Sequence, residues 1–322
     1  MFAIFRWLLI TVSVALGAAV GMLFYDMHEP LQDEATIVIL PGTGVRAVSE
    51  QLHAAGLVRW PLTVLCATMI YGDLRRLQAG EYILPPGVNL LDVLDKMRRG
   101  DVVKHFFTIP EGQRVSEIVA QLRADQRLTG VITIMPQEGE LLPETYQIRR
   151  GDNRQHLVER MQAAMTDALA RAWAVKTEAC HLQSPQELLI LASIVEKETA
   201  KAVERPRVAG VYLNRLRRGM LLQACPTVIY GLMVADQWQG GSPLLRSHLK
   251  IPTPYNTYMN RGLTPTPIAC PGLASLMAVA QPLVTDELYF AADGAGGHQF
   301  ASTFKQHQQH HQHLRQWRRQ AM

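Results

Sequence analysis

One stretch of the chain places carboxyl groups where a carboxyl can do chemistry: LLILASIVEKET, residues 188–199. Glu196 and Glu198 stand at the end of this apolar run. At about 100° per residue of helix, Ser193, Glu196 and Lys197 fall within roughly 100° of each other and form one polar strip. Glu198 falls on the opposite side, between Ile194 and Leu191. An acid on an apolar stripe near a helix end is desolvated. Desolvation raises its pKa and keeps it protonated, the state a general acid needs. The competing arrangement is an ion pair between Glu198 and an arginine such as Arg205 or Arg207, which periodicity alone does not disfavour. Glu196 is expected to be solvated or ion-paired.

Other reactive residue types point to less. The cysteines are Cys66, Cys180, Cys225 and Cys270, with no C-x-x-C pair, so no zinc site is expected. Spacing does not reveal disulfides, and four buried free thiols is the preferred reading. His307, His310, His311 and His313 crowd the tail. No acidic residues accompany them, so a polar helix face is expected there, not a metal site. No cofactor is implied.

The elements that must hold Glu198 follow from local signals. Ser184-Pro185-Gln186-Glu187 opens its helix: Ser184 as cap, Pro185 in the first turn, Glu187 completing a capping box. Apolar side chains lie nearly all round this helix, so it should be buried. Before it, HLVERMQAAMTDALARAWAV (156–175) has apolar residues at helical steps. After it, a Pro/Gly-rich stretch, 241–272, is longer than an ordinary connection, and such loops are commonly functional. Residues 273–280 resume helix, Leu288 to Ala292 read as a short strand, and 303–320 as a polar helix.

Towards the N-terminus a motif recurs three times. ILPG (39–42) precedes VRAVSEQL, ILPPG (83–87) precedes LLDVLDKM, and TIPEG (108–112) precedes VSEIVAQL. Each is a β-type stretch, a Pro/Gly turn and an amphipathic helix, so small αβ units are expected. EGELLPETYQI (138–148) reads as a link to the next domain. Leu8 to Tyr25 is an uncharged run of about 18 residues, near the lower limit for spanning a bilayer. Small residues at 15–21 are followed by apolar Met22-Leu23-Phe24-Tyr25, which favours an uncleaved anchor over a signal peptide. Arg6 lies on one side, and Asp26, Glu29, Asp33 and Glu34 on the other. The positive-inside rule then puts residues 26–322 outside the cytoplasm.

Composition adds bounds. The 322 residues are 48% hydrophobic and 19% charged with a net charge of +4, enough for an anchor and two or three cored domains. No basic stripe with interleaved aromatics is present, so nucleic acid is not an expected partner.

The ordered set LASIVEKETA (191–200), GVYLNRLRRGMLLQ (210–223), PTVIYG (226–231), PYNTY (254–258), GL-P-PI-PG (262–272) and GGHQF (296–300) resembles the endolytic murein transglycosylase, or YceG-like, family. EGELLPETY (138–146) resembles the family's segment before the catalytic domain. The resemblance covers nearly the whole chain. It implies an α+β protein with an N-terminal transmembrane helix, small LysM-like αβ units and a mainly helical, lysozyme-like catalytic domain with long loops. The corresponding segments are 1–7 (cytoplasmic), 8–25 (transmembrane), 26–137 (LysM-like, periplasmic) and 138–322 (catalytic). It further implies a lyase of the bacterial inner membrane. Such an enzyme cleaves the MurNAc–GlcNAc β-1,4 bond of nascent peptidoglycan strands, leaves 1,6-anhydro-MurNAc ends and limits elongation. Peptidoglycan synthases are implied partners. A non-catalytic wall-binding scaffold and a hydrolytic muramidase are the alternatives.

The resemblance also implies that the catalytic acid lies on the helix at 185–199. Glu198-Thr199 fits the superfamily's Glu-plus-hydroxyl pattern, and Glu196-Lys197 does not. Gln223, Thr227, Tyr230, Tyr255, Asn256, Thr257 and Tyr258 lie in motifs implied to wall the substrate cleft. Amides and hydroxyls suit sugar hydroxyl and acetamido groups, and aromatics suit sugar ring faces. Asn214 and Arg215 read as structural. The chain departs from the family at Cys225, where Asp is usual, at Thr266, where Gly is usual, and at Cys270, where Asn is common.

Overall fold

An uninterrupted helix, α1 (Phe2–His28), opens the chain in the computed structural model, which describes residues 2–71, 77–238 and 240–320. It is one N-terminal apolar helix long enough to cross a membrane, and its stretch Ile4–His28 has no buried side chains in its most apolar window. It extends past the expected 8–25 at both ends. Met1 and 321–322, which belong to the first and last expected segments, lie outside the described residues. At its C-terminal end the helix runs straight into folded protein. Asp26, 1% exposed, accepts from the Arg59 backbone N–H at 2.7 Å, from that of Trp60 at 3.4 Å and from the Thr63 hydroxyl.

The chain forms two compact units. The first comprises residues 1–107, 126–130 and 146–153; the second comprises 108–125, 131–145 and 154–322. The expected boundary at 137/138 thus falls inside a stretch of the second unit, and the third motif, 108–122, belongs to that unit as well.

In the first unit, β1 (Ala35–Ile39) pairs antiparallel with β2 (Gly80–Leu84), Ala35 opposite Leu84. Between them lie α2 (Val45–Ala54) and α3 (Pro61–Tyr71), and α4 (Leu90–Arg99) follows. The first two motifs therefore share one sheet and one core, built around Tyr82, Leu84, Leu52 and Leu90. Asn89 caps α4 in a full capping box with Asp92, and Gly100 ends it in a left-handed turn. α3 has no sequence period to announce it, since apolar residues lie on all its sides and its two threonines, Thr63 and Thr68, are buried. The three motif turns are alike: Gly42, Gly87 and Gly112 all have φ between +77° and +88°, a backbone region that glycine enters without strain. β3 (His105–Thr108) pairs with β4 (Thr145–Ile148), so part of the expected link is a strand.

The second unit is mainly helical. α5 (Val115–Ala124) and α6 (Arg154–Ala174) precede α7 (Pro185–Glu198), followed by α8 (Arg205–Arg217), α9 (Cys225–Val234) and α10 (Leu273–Ala280). A hairpin of β5 (Tyr289–Ala292) and β6 (His298–Ala301) leads to α11 (Phe304–Gln320). Every residue of α7 from Leu188 to Val195 is buried, and α6, α8, α9 and α10 pack round it. Ser184 Oγ accepts from the Glu187 N–H at 3.2 Å, as expected of a cap. Glu187 reaches one residue beyond the cap, to the Gln183 N–H at 2.7 Å, so the expected capping box is displaced by one position. The architecture is α+β: helices with three two-stranded sheets among the described residues.

All four cysteines are free, two buried and two half-buried. Among the described residues no group of three or more His, Cys, Asp or Glu is arranged to hold a metal. In the tail, His307 and His311 meet through their Nε2 atoms at 3.2 Å.

Candidate active site

Two glutamates two residues apart on α7 meet opposite fates. Glu196 Oε1 takes a hydrogen bond from Arg205 Nη2 at 2.9 Å, and its Oε2 takes the Gly272 N–H at 2.9 Å. Arg205 is itself buried and also bonds Glu111 Oε2 at 2.9 Å. Neighbouring Lys197 donates to the Gly112 carbonyl at 3.0 Å. The polar strip of α7 therefore ties the third motif turn and the start of α10 to the helix.

Glu198, the last residue of α7, has no ion-pair partner among the described residues. Arg205 is committed to Glu196 and Glu111, and Arg207 pairs with Glu287. The Oε2 of Glu198 is closed off from solvent with no hydrogen-bond partner. Burial raises its pKa to about 7, against the pull of the His298 ring, the neighbouring Tyr212 hydroxyl and the Arg215 guanidinium. A carboxyl in this state carries a proton near neutrality and can give it up.

The surroundings come from three elements. Tyr212 and Arg215 lie one helical turn apart on α8, so both face α7. Arg215 is buried and held by several partners: Nε donates to the Leu288 carbonyl at 2.6 Å, Nη1 to that of Leu222 at 2.7 Å, and its guanidinium lies 5.2 Å from the centre of the Tyr289 ring. Burial pushes the Tyr212 hydroxyl well above its ordinary pKa, and the neighbouring Glu198 carboxyl adds to the shift. Cys225 opens α9, and its Sγ lies 3.1 Å from the Tyr258 hydroxyl. Both of these groups are raised by burial first, with the charge of Glu198 contributing.

The seven expected cleft residues separate into groups. Tyr258 is brought to Glu198. Tyr230 and Tyr255 stack edge to face, 4.8 Å between ring centres. The Tyr255 hydroxyl meets Thr266 Oγ1 at 2.9 Å, and that of Tyr230 reaches Glu138 at 3.4 Å. Thr266, one of the departures, thus supplies a hydroxyl partner that glycine would lack. Thr227, Asn256 and Thr257 are buried, with their polar atoms satisfied internally. Thr227 and Thr257 join hydroxyls at 2.8 Å, and Thr257 Oγ1 accepts the Ala224 N–H at 3.0 Å. Asn256 donates to the carbonyls of Ile251 and Leu249 at 2.8 and 3.1 Å and accepts the Tyr258 N–H at 2.9 Å. Gln223 is exposed, with a left-handed backbone (φ +54°) fixed by a bond to the Thr257 carbonyl at 3.1 Å. Cys270 is buried, its thiol pushed up to about 12, and its backbone exchanges bonds with Gly112 and Gln113.

Sequence reasoning missed Tyr212 and His298 and read Arg215 only as structural. A buried Tyr and Arg three positions apart on a helix, pointing at a lone acid, was the available signal.

The profile of the YceG-like family matches residues 37–313. A protein of Streptococcus pneumoniae serotype 2, strain D39, named endolytic murein transglycosylase, is 29% identical over 305 residues, covering 81% of this chain and 55% of that one. The Bacillus subtilis protein of the same name is 29% identical over 261 residues, covering 71% of each chain. The chain therefore spans about half the length of its pneumococcal relatives, 55%. A crystal structure of a YceG-like protein from Listeria monocytogenes superposes with a TM-score of 0.52 at 27% identity, covering 86% of this chain and 99% of that one.

Proposed function

The chain belongs to the YceG-like family, and on that premise we propose that it is an endolytic lytic transglycosylase of peptidoglycan. It cleaves the MurNAc–GlcNAc β-1,4 bond within nascent strands, leaves 1,6-anhydro-MurNAc ends and so limits strand elongation. The observation that carries this reading is Glu198: a solvent-shielded carboxyl without an ion pair at the end of a buried helix, with a pKa near 7.

Glu198 is the catalytic acid. It protonates the glycosidic oxygen as the bond to C1 breaks through an oxocarbenium-like state. The MurNAc C6 hydroxyl then closes on C1, and its proton passes to a base; the Glu198 carboxylate, just formed, can serve. Intramolecular closure needs no activated water, so the second carboxylate of ordinary glycosidases is dispensable. Keeping water from C1 favours closure over hydrolysis. Tyr258, Tyr255, Tyr230 and Gln223 contact the glycan. Thr227, Asn256 and Thr257 hold the 254–258 segment that presents Tyr255 and Tyr258. No metal or cofactor takes part.

The rest of the chain fits this role. The helical shell round α7 supports a lysozyme-like catalytic unit. The β1–α2–α3–β2 order, two antiparallel strands flanking a helix pair, supports a LysM-like reading of the first unit. α1 anchors the protein in the bacterial inner membrane with its N-terminus cytoplasmic and the remainder periplasmic, where peptidoglycan synthases are its partners.

The test is digestion of purified sacculi by the detergent-solubilised full chain. Muropeptides with anhydro-MurNAc ends are the expected products. Reducing MurNAc ends would make the protein a muramidase, and no cleavage would make it a wall-binding scaffold.

A further inference from the structure

The GGHQF motif has no part in the mechanism above, yet it places an imidazole within electrostatic reach of the acid. His298 opens β6, and its Nδ1 lies 2.7 Å from Glu204 Oε2. The His298 backbone N–H also bonds Glu204, at Oε1, 3.1 Å away. The same Glu204 Oε2 accepts from the Thr199 hydroxyl at 3.2 Å, and Thr199 directly follows Glu198. One carboxylate thus pins both the ring and the backbone of His298 to the end of the helix that carries the acid. Both side chains are shielded, 15% exposed for His298 and 14% for Glu204.

The fit is close at the hairpin turn. Asp293 Oδ1 accepts the N–H groups of Ala295 and Gly297 at 2.7 and 2.9 Å, which folds the turn. A Cβ on Gly297 would lie 2.6 Å from Glu204 Oε1 and 2.4 Å from Lys201 Nζ, so a larger residue there would displace those side-chain ends. A carboxylate can only accept, so Nδ1 is the donor in this contact, and in the neutral tautomer that this selects Nε2 carries the lone pair. Among the described residues Nε2 has no hydrogen-bond partner. Burial works to raise the Glu204 pKa, but the bonds from His298 and Thr199 hold it below the ordinary carboxylate value, so it stays an acceptor.

We infer that His298, oriented by Glu204, is a second acid–base group of this site and takes the proton of the MurNAc C6 hydroxyl. This rests on the transglycosylase reading and assigns its second half-reaction. The C6 oxygen uses a lone pair to form the O6–C1 bond while its proton passes to Nε2. The electron pair of the breaking C1–O bond leaves with the GlcNAc O4, which receives the proton of Glu198. Turnover ends with Glu198 ionised and His298 protonated, and proton exchange through solvent resets both. With two groups, proton donation and proton removal occur together; a single carboxyl must do them in sequence.

The experiment uses the full-length protein in detergent on purified sacculi, counting anhydro-MurNAc ends. His298→Ala should lower kcat by about 100-fold or more with KM little changed, and added imidazole should restore part of the rate. His298→Asn retains a donor to Glu204 and guards against misfolding. It should lose as much, with a melting temperature near that of the parent. Near-parental kcat in His298→Asn, or a loss in a folded His298→Ala that imidazole does not rescue, overturns the assignment and leaves the transglycosylase reading intact. A parent protein that forms no anhydro ends removes that reading, and this inference with it.

Discussion

Arg205 Nη2 lies 2.9 Å from Glu196 Oε1 and makes no ion pair with Glu198, two residues further along the same helix. This partition gives the two carboxyls different physics. Glu196 is neutralised by a buried cation, while Glu198 is desolvated and keeps its proton to about pH 7. Each fate leads to a different mutant phenotype.

Glu198→Gln should lower the rate of anhydro-end formation by about 10²–10⁴-fold, the usual worth of a general acid. It should also stabilise the fold at alkaline pH. Below pH 4.5 the carboxyl is protonated in both the folded and unfolded states. Between 4.5 and about 7 only the unfolded chain ionises, so stability falls as pH rises, and above 7 the loss is complete. The neutral Gln escapes a penalty on the order of 3 kcal/mol. Thermal melts of parent and variant at pH 4 and pH 8 check this: the two should converge at the lower pH and diverge at the higher.

Glu196→Gln should do the reverse. Buried Arg205 keeps Glu111 but loses its better-shielded partner, at a cost of about 1–3 kcal/mol. The melting temperature drops, while kcat measured well below it stays within a few-fold of the parent. A chemical defect at full folding would show that Glu196, not Glu198, is the acid.

Cys225→Asp places a carboxyl beside Tyr258 and within the field of Glu198. A like charge there disfavours ionisation of Glu198. The alkaline limb of the pH–rate profile should move up, by as much as about one pH unit. An unmoved or lowered limb would mean that Cys225 does not act on the acid.

Asn256→Ala removes two donor bonds and the acceptor for the Tyr258 N–H from a fully buried position. Leaving these backbone groups unpaired should cost about 2–4 kcal/mol. Because Tyr258 is released, kcat should fall at temperatures where the variant is still folded. Denaturant melts and rates at 15 °C separate the two effects.

Much of this was legible in the residues. The β–turn–helix motifs, α7, α10 and β5 all announce themselves by period or by Pro/Gly punctuation, and the wheel of α7 separates Glu198 from Glu196 unaided. What stayed hidden was long-range. α3 is apolar on every side, so no period marks it. The β1–β2 pairing joins two motifs that look independent in the chain. Arg205 chose Glu196 because both lie on the side of α7 facing Gly272. The inward turn of Thr227, Asn256 and Thr257 comes from loop hydrogen bonds, which leave no pattern in composition. The Glu204–His298 contact spans 94 positions.

The socket round Asp26 bears on how the proposed membrane anchor would carry the rest of the protein. A membrane span is often joined to its cargo by a slack leash, and the cargo then samples a hemisphere. Here the last turn of α1 is locked by Arg59, Trp60 and Thr63, and Met27 belongs to the core of the first unit. The helix is a mast stepped into its hull. In the anchored arrangement proposed above, any tilt of α1 is a tilt of that unit, and the folded protein itself would set its height above the lipid.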